Sequence, residues 1–217
     1  MDNMDAQEIK FFEGLSDILI APMLTNDTPS SEPTYGEVVR LPIATKLALK
    51  GNGSTLEKYA SSKLFRAISR ETKHEIGLDH VGIPVELLDK LKGQVSVKGV
   101  TFNNTKAKEF PFFGFGFIGN IEGGAQMAVW YPKAQLSNVI DEEYVTAEEA
   151  VDIKDVTANL VAYGLNTEPN NMFATFNSLR DSAEGVTLDK FITQPVISEE
   201  QWNGLVTTTP PETGGDE

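Results

Sequence analysis

Residues 109–139, EFPFFGFGFIGNIEGGAQMAVWYPKAQLSNV, decide how this 217-residue chain folds. Within them Gly114-Phe115-Gly116-Phe117-Ile118-Gly119 spells G-x-G-x-x-G. A dinucleotide fingerprint requires that turn to open a helix, because the amides of a helix N-terminus hold the pyrophosphate. Here Asn120-Ile121-Glu122-Gly123-Gly124 follows and then the strand-like AQMAVWYP, so no helix starts. The stretch reads instead as a hairpin turning at Glu122-Gly123-Gly124. Phe113, Phe115 and Phe117 alternate onto one face, and the glycines between them leave the other face bare for the close approach of another backbone.

Working outward, strand signals dominate. Leu15 to Met23 (LSDILIAPM) is apolar and ends near Pro22, and the Pro/Ser/Thr-rich residues 25–35 read as a loop. Leu41 to Lys50 alternates Ile43, Thr45, Leu47 and Leu49 against Ala44, Lys46, Ala48 and Lys50, a period of two that buries one face. Gly51-Asn52-Gly53 reads as a turn. Arg66 to His80 alternates again, with Ile68, Ile76 and Leu78 opposite Glu71, Lys73, Glu75 and Asp79, and is expected to be one long two-faced strand. Strands are also expected at Val95–Phe102, Phe112–Ile118, Ala125–Tyr131 and Val156–Tyr163. One helix is well signalled. Pro84 suits its first position, Glu86 and then Lys90 and Lys92 match the helix dipole, Val85, Leu88 and Leu91 share a face, and Gly93 supplies the stop. Shorter helices are expected at Ser178–Ala183 and Ser198–Leu205. The pattern is mainly β: an antiparallel β-sandwich or half-barrel of about eight strands with one flanking α-helix.

Charge is distributed unevenly. Residues 1–140 carry 16 acidic against 15 basic side chains, whereas residues 141–217 carry 16 acids against Lys154, Arg180 and Lys190 alone. The net charge of −14 therefore belongs to the last third of the chain, which repels phosphate and argues against tight nucleic-acid binding. Cysteine is absent, which excludes disulfides and thiolate chemistry. No apolar run is long enough to span a membrane, and the acidic Met1-Asp2-Asn3-Met4-Asp5 is unlike a signal peptide, so the chain is expected to be made in a cytoplasm.

The remaining chemical motifs fail on geometry. His74 and His80 in HEIGLDH lack the zincin spacing, since position 78 is leucine and the segment reads as a strand. Both are expected to be ordinary surface histidines. Asp141-Glu142-Glu143 and Glu148-Glu149 lack the spacing and central glycine of a calcium loop. There is no Gly-x-Ser-x-Gly elbow. The sequence offers no catalytic, cofactor-binding or metal-binding residue, and no cofactor.

The central hairpin resembles the paired core strands of the major tail protein (tail tube protein) family of long-tailed bacteriophages. There an aromatic–glycine strand leads through a turn to a Tyr/Trp-Pro-Lys strand. Here those positions are Phe115-Gly116-Phe117 and Trp130-Tyr131-Pro132-Lys133, followed by Leu136-Ser137. The acidic segment Asp141 to Ala150, with Thr146 to Glu149, and the strand at Val156–Tyr163 are similar to the family's closing part, and GLSDILIAPM with LPIATKLALK to its opening part. The likeness spans residues 14–165.

The resemblance implies a non-enzymatic virion protein, made in the host cytoplasm. It implies self-assembly into hexameric rings that stack as a tube, a conduit for genome ejection with DNA as transient non-specific cargo, and contacts with the tape measure and terminator proteins. It sets a tail-tube-like domain at 1–165 apart from a peripheral extension at 166–206, and residues 207–217 (TTTPPETGGDE), which have nothing to bury, are expected to be a disordered acidic tail. Glu71, Glu75 and Asp79 are the expected lumen-facing acids, and the loop at residues 24–36 the expected arm to the next ring. Two other readings stand beside it. One is a β-sandwich adhesion module with an aromatic patch drawn from Trp130, Tyr131 and Trp202. The other is a nucleotide-dependent enzyme built on GFGFIG.

Overall fold

The computed structural model describes residues 9–60, 63–102, 106, 109–137, 155–183 and 185–207. In chain order its strands are β1 (Phe12–Thr25), β2 (Thr34–Tyr35), β3 (Val39–Leu41), β4 (Ala44–Gly51), β5 (Ser54–Ala60), β6 (Lys63–Arg70), β7 (Lys73–His80), β8 (Phe113–Ile121), β9 (Ala125–Leu136), β10 (Val156–Tyr163) and β11 (Ala174–Asn177). The helices are α1 (Val85–Leu91), α2 (Leu188–Phe191) and α3 (Glu199–Thr207). The fold is mainly β, built on one antiparallel nine-stranded sheet with a flanking helix.

The sheet follows the order β2-β1-β8-β9-β10-β7-β4, with β11 paired to β9 and β3 paired to β1. Only Pro42 and Ile43 separate β3 from β4, so the strand at one end of the path runs straight into a partner of the strand near the other end. The sheet thereby curls back on itself into a small barrel. Ile18, Ile20, Leu41, Ile76, Leu78, Phe113, Phe115, Phe117, Val129, Tyr131, Leu136 and Leu160 fill its interior, and Leu87 and Leu91 of α1 pack against them. Phe113 and Phe115 are essentially fully buried, each contributing about 1.5–3 kcal/mol of hydrophobic stabilisation.

β1, β8 and β9 are buried on both faces, which is why they read as continuous apolar runs. Their outward residues Leu19, Ala21, Ile118, Ala128 and Trp130 form a second core with Phe176, Phe191 and Val196. The segment beyond residue 165 thus adds β11 to the sheet beside β9 and lays α2 and α3 over the outer face. The Trp130 indole N–H donates to the Phe191 carbonyl at 2.9 Å, satisfying the one polar atom of a fully buried ring.

The central hairpin turns at Glu122–Gly124, with φ near 79° at both glycines. Its strand glycines seat rings of the same chain, and Gly116 also seats the backbone of β9, whose Val129 carbonyl oxygen would lie 2.9 Å from a Cβ there. A Cβ on Gly114 would lie 2.5 Å from Pro195, on Gly116 2.8 Å from the Trp130 indole, and on Gly119 2.3 Å from the Phe12 ring.

Four local expectations are corrected. Arg66–His80 is two strands: β7 stays in the barrel while β6 pairs only with β5, as a separate two-stranded ribbon. Gly51-Asn52-Gly53 is the matching corner in the other strand, because the chain runs on from β4 into β5 instead of reversing. Val95–Phe102 is not a strand but a short turn bridging Val97 to Val100, with Lys98 and Gly99 at φ 53° and 82°. In α1, Leu87 and Leu91 are buried in the core with Leu88 packed beside them, whereas Val85 in the first turn is 72% exposed and does not share their face. Gly93 does stop that helix, its amide bonding the Lys90 carbonyl while the Gln94 amide bonds that of Asp89. The expected helices near 178–183 and 198–205 are a single 3-10 turn at Asp181–Ala183 and α3. Residues 208–217 and the acidic stretch 141–150 lie outside the described residues.

Candidate functional site

The feature that most departs from a closed barrel is the β5–β6 ribbon, a continuation of the β4–β7 hairpin beyond a corner. Ladder pairing stops at that corner, and the Asn52 side chain takes over. Its Oδ1 accepts the amides of Thr72 and Lys73 at 3.0 Å each, and its Nδ2 donates to the Thr72 hydroxyl at 2.9 Å. On the barrel side, His74 bridges Glu71 (3.0 Å) and the Tyr131 hydroxyl (3.1 Å), and its ring packs with Tyr131 and Phe173. Burial, reinforced by the Glu71 charge, pushes the Tyr131 phenol up to about 12, so it remains protonated there. An open concavity of about 750 Å³ lies beside this base, lined by Arg70, Lys133, Gln135, Tyr163 and Asn170 among others.

The three acids expected to face a lumen have close partners. Asp79 accepts from the Thr157 hydroxyl at 2.6 Å and lies 3.9 Å from Lys46. Glu75 pairs with Lys73 at 2.9 Å and sits opposite Lys50 in register, and these cations hold its carboxyl below the usual range. Glu71 folds back on His74. The outward face of β7 and β4 is therefore a stripe of alternating sign rather than a bare acidic wall.

The segment at 24–36 is strapped to the barrel. Asp27 is buried with its Oδ1 2.6 Å from the Lys133 ammonium, while its Oδ2 accepts the Asn166 amide. Lys133 also lies 4.9 Å over the Phe112 ring. The Tyr35 hydroxyl donates to the Pro132 carbonyl at 2.8 Å, and burial beside Asp27 raises its pKa far above the ordinary tyrosine value. Sequence reasoning missed this anchor. Its only signal was a lysine in an otherwise apolar strand.

Other expected site residues move inward. Trp130 and Tyr131 are 0% and 2% exposed and point into different cores, so neither contributes to a surface aromatic patch, and only Trp202 stays partly open. His80 is buried at 4% exposure with an unpartnered Nδ1, and His74 is mostly covered, so neither is a surface histidine. They occupy opposite ends of β7. Gly114 to Gly119 lie inside β8 with rings packed over them, which leaves no cradle for a pyrophosphate. Among the described residues no group of three His, Asp or Glu side chains converges as metal ligands, and no helix is long and apolar enough to cross a membrane. Asp141–Glu143 and Glu148–Glu149 lie outside the described residues.

A second concavity, of about 290 Å³, opens on the far side of the barrel between β11, α2 and α3, with Phe176, Phe191 and Trp202 in its wall. No family model matches the sequence, and a search of curated proteins returns no match.

Proposed function

We propose that this chain is a structural subunit of a phage tail tube, which assembles into stacked, hexameric rings through which genomic DNA passes during ejection. One observation carries the reading. The hairpin whose residues resemble that family, Phe115-Gly116-Phe117 against Trp130-Tyr131-Pro132-Lys133, forms adjacent central strands of a curled antiparallel sheet, with Phe115 opposite Tyr131 and Gly116 opposite Trp130. The exposed two-stranded ribbon supports it further. Its outer edges carry no third strand among the described residues, and such edges pair readily with other chains. In this reading the other partners are the tape measure and terminator proteins, and DNA is held by no specific contact.

Negative-stain microscopy of the purified full-length chain tests it. Tubes or stacked rings of uniform diameter are the expected result. A monodisperse monomer at all concentrations, binding a ligand instead, would replace this reading with that of an adhesion module.

A further inference from the structure

We propose that the β5–β6 ribbon of one copy docks into the groove between β11, α2 and α3 of a second copy, joining subunits head to tail. The contact rests on the reading of the chain as a self-assembling subunit.

The ribbon face carries the first half of the case. Leu56 stands directly opposite Ile68, and the two are 70% and 45% exposed. Cross-strand pairs two residues along share that face. These are Lys58–Arg66 toward the tip and Ser54–Arg70 toward the base. An apolar pair is therefore bracketed by three cations. The opposite face pairs Glu57 with Ala67 and Thr55 with Ser69, whose hydroxyls lie 3.0 Å apart. Residues 44–73 hold seven basic side chains against two acidic ones, in a chain whose net charge is −14.

The groove supplies the complement. Its wall is built from Phe176, Val186, Phe191, Val196, Ile197 and Trp202, with Glu199 and Arg180 both on the lining and the Arg180 guanidinium donating to the Thr175 carbonyl at 2.9 Å. Glu200 follows in the exposed first turn of α3, and Asp189 lies in the first turn of α2. Residues 155–207 carry seven acids against Arg180 and Lys190. Apolar meets apolar, and the ribbon cations meet Glu199, Glu200 and Asp189 at the starts of α3 and α2, the arrangement that steers and orients association. Nucleic acid satisfies the cations but offers nothing to Leu56 and Ile68, and the chain's overall charge repels it. The ribbon springs from β4 and β7, whereas the groove lies over β9. The contact is thus heterologous, and repeating it closes a ring or runs on as a filament.

The test uses the full-length chain in sedimentation velocity over a concentration series, with negative-stain images of the same samples. The variants are Lys58→Glu/Arg66→Glu, Glu199→Lys/Glu200→Lys and Leu56→Ser/Ile68→Ser. All six positions are exposed, so circular dichroism and the melting midpoint should match wild type. Wild type should self-associate, and each variant alone should associate at least about tenfold more weakly. An equimolar mixture of the two charge-reversal variants should associate again, because every ribbon then meets an oppositely charged groove. A monomeric wild type, a Lys58→Glu/Arg66→Glu variant that associates like wild type, or a mixture that stays apart overturns the contact. So does a short DNA duplex whose binding is lost in Lys58→Glu/Arg66→Glu while self-association is unchanged. Tubes formed equally by wild type and the ribbon variants would overturn this contact and leave the tube reading standing. Head-to-tail chains that never become tubes would do the reverse.

Discussion

Asp27 and Lys133 form a salt bridge whose side chains are 0% and 8% exposed, between an irregular segment and the second core strand. A buried pair contributes little over an apolar pair, but removing one partner strands the other charge. Asp27→Ala is therefore expected to cost about 3–5 kcal/mol in urea unfolding, and Asp27→Leu/Lys133→Met to recover most of that loss. The pair was not legible in the sequence, because nothing local ties residue 27 to a strand 106 positions later. The same blindness hid His80, which reads as one more residue of an alternating strand. Its pKa is lowered from 6.5 chiefly by burial, with Asp79 and Asp155 opposing. Below that value the unfolded chain takes up a proton that the folded chain resists, so stability falls as the pH drops through 6.5 and below. Urea midpoints measured from neutral pH down to mildly acidic pH should decline in wild type and decline less in His80→Met. Gly116 was legible as a bare position approached by another backbone, the Val129 carbonyl, but the Trp130 ring that crowds it equally was not. Gly116→Ala should lose about 1–3 kcal/mol by overpacking and perturb the near-ultraviolet dichroism of Trp130.

Among elements, periodicity was a sound guide wherever one face is buried and the other wet. β7 and β10 are such strands, and Val156–Tyr163 matches its expected bounds. The alternation expected from Leu41 to Lys50 fails: β3 ends at Leu41, β4 begins at Ala44, and a register shift between Ala44 and Lys46 puts Ala44 and Leu47 against the core and leaves Leu49 46% exposed. Doubly covered β8 and β9 were legible as well, through aromatic and β-branched density around a Gly-Gly turn. Periodicity failed at the ribbon corner, because a bend that keeps the side-chain parity leaves the alternation from Arg66 to His80 unbroken. The corner depends on a single amide side chain standing in for ladder bonds, and one residue carries no periodic signal. Asn52→Ala removes those three hydrogen bonds and should cost about 1–3 kcal/mol locally. Hydrogen exchange at the Thr72 and Lys73 amides should accelerate while exchange in β8 and β9 stays unchanged. Equal acceleration in β8 would mean that the ribbon and the barrel unfold as one unit. The C-terminal layer was legible only in part. α3 announces itself through its acidic first turn, whereas the four-residue β11 forms on the open backbone edge of β9 and α2 over its apolar outer face, neither of which a local pattern signals.

At the scale of the whole molecule, the charge excess assigned by sequence to the last third of the chain acquires a counterpart. The basic ribbon extends from β4 and β7, and the acid-rich segment that holds β11, α2 and α3 packs against β9, so opposite charges belong to different elements of the fold. Two forces would drive copies together, and they respond to salt in opposite directions. Screening shortens the reach of exposed charges from about 10 Å at 0.1 M salt to about 3 Å at 1 M. Hydrophobic contact is strengthened by excluded salts such as sulfate. If Lys58, Arg66 and Arg70 steer the ribbon toward Glu199 and Glu200, the association rate in stopped-flow light scattering should fall steeply with sodium chloride. The dissociation rate should change far less, since Leu56 and Ile68 hold the seated complex. In Leu56→Ser/Ile68→Ser association should stay salt-sensitive, while dissociation becomes fast at every salt. An association rate indifferent to salt would remove charge from the assembly mechanism and leave only the apolar knob and the open strand edges.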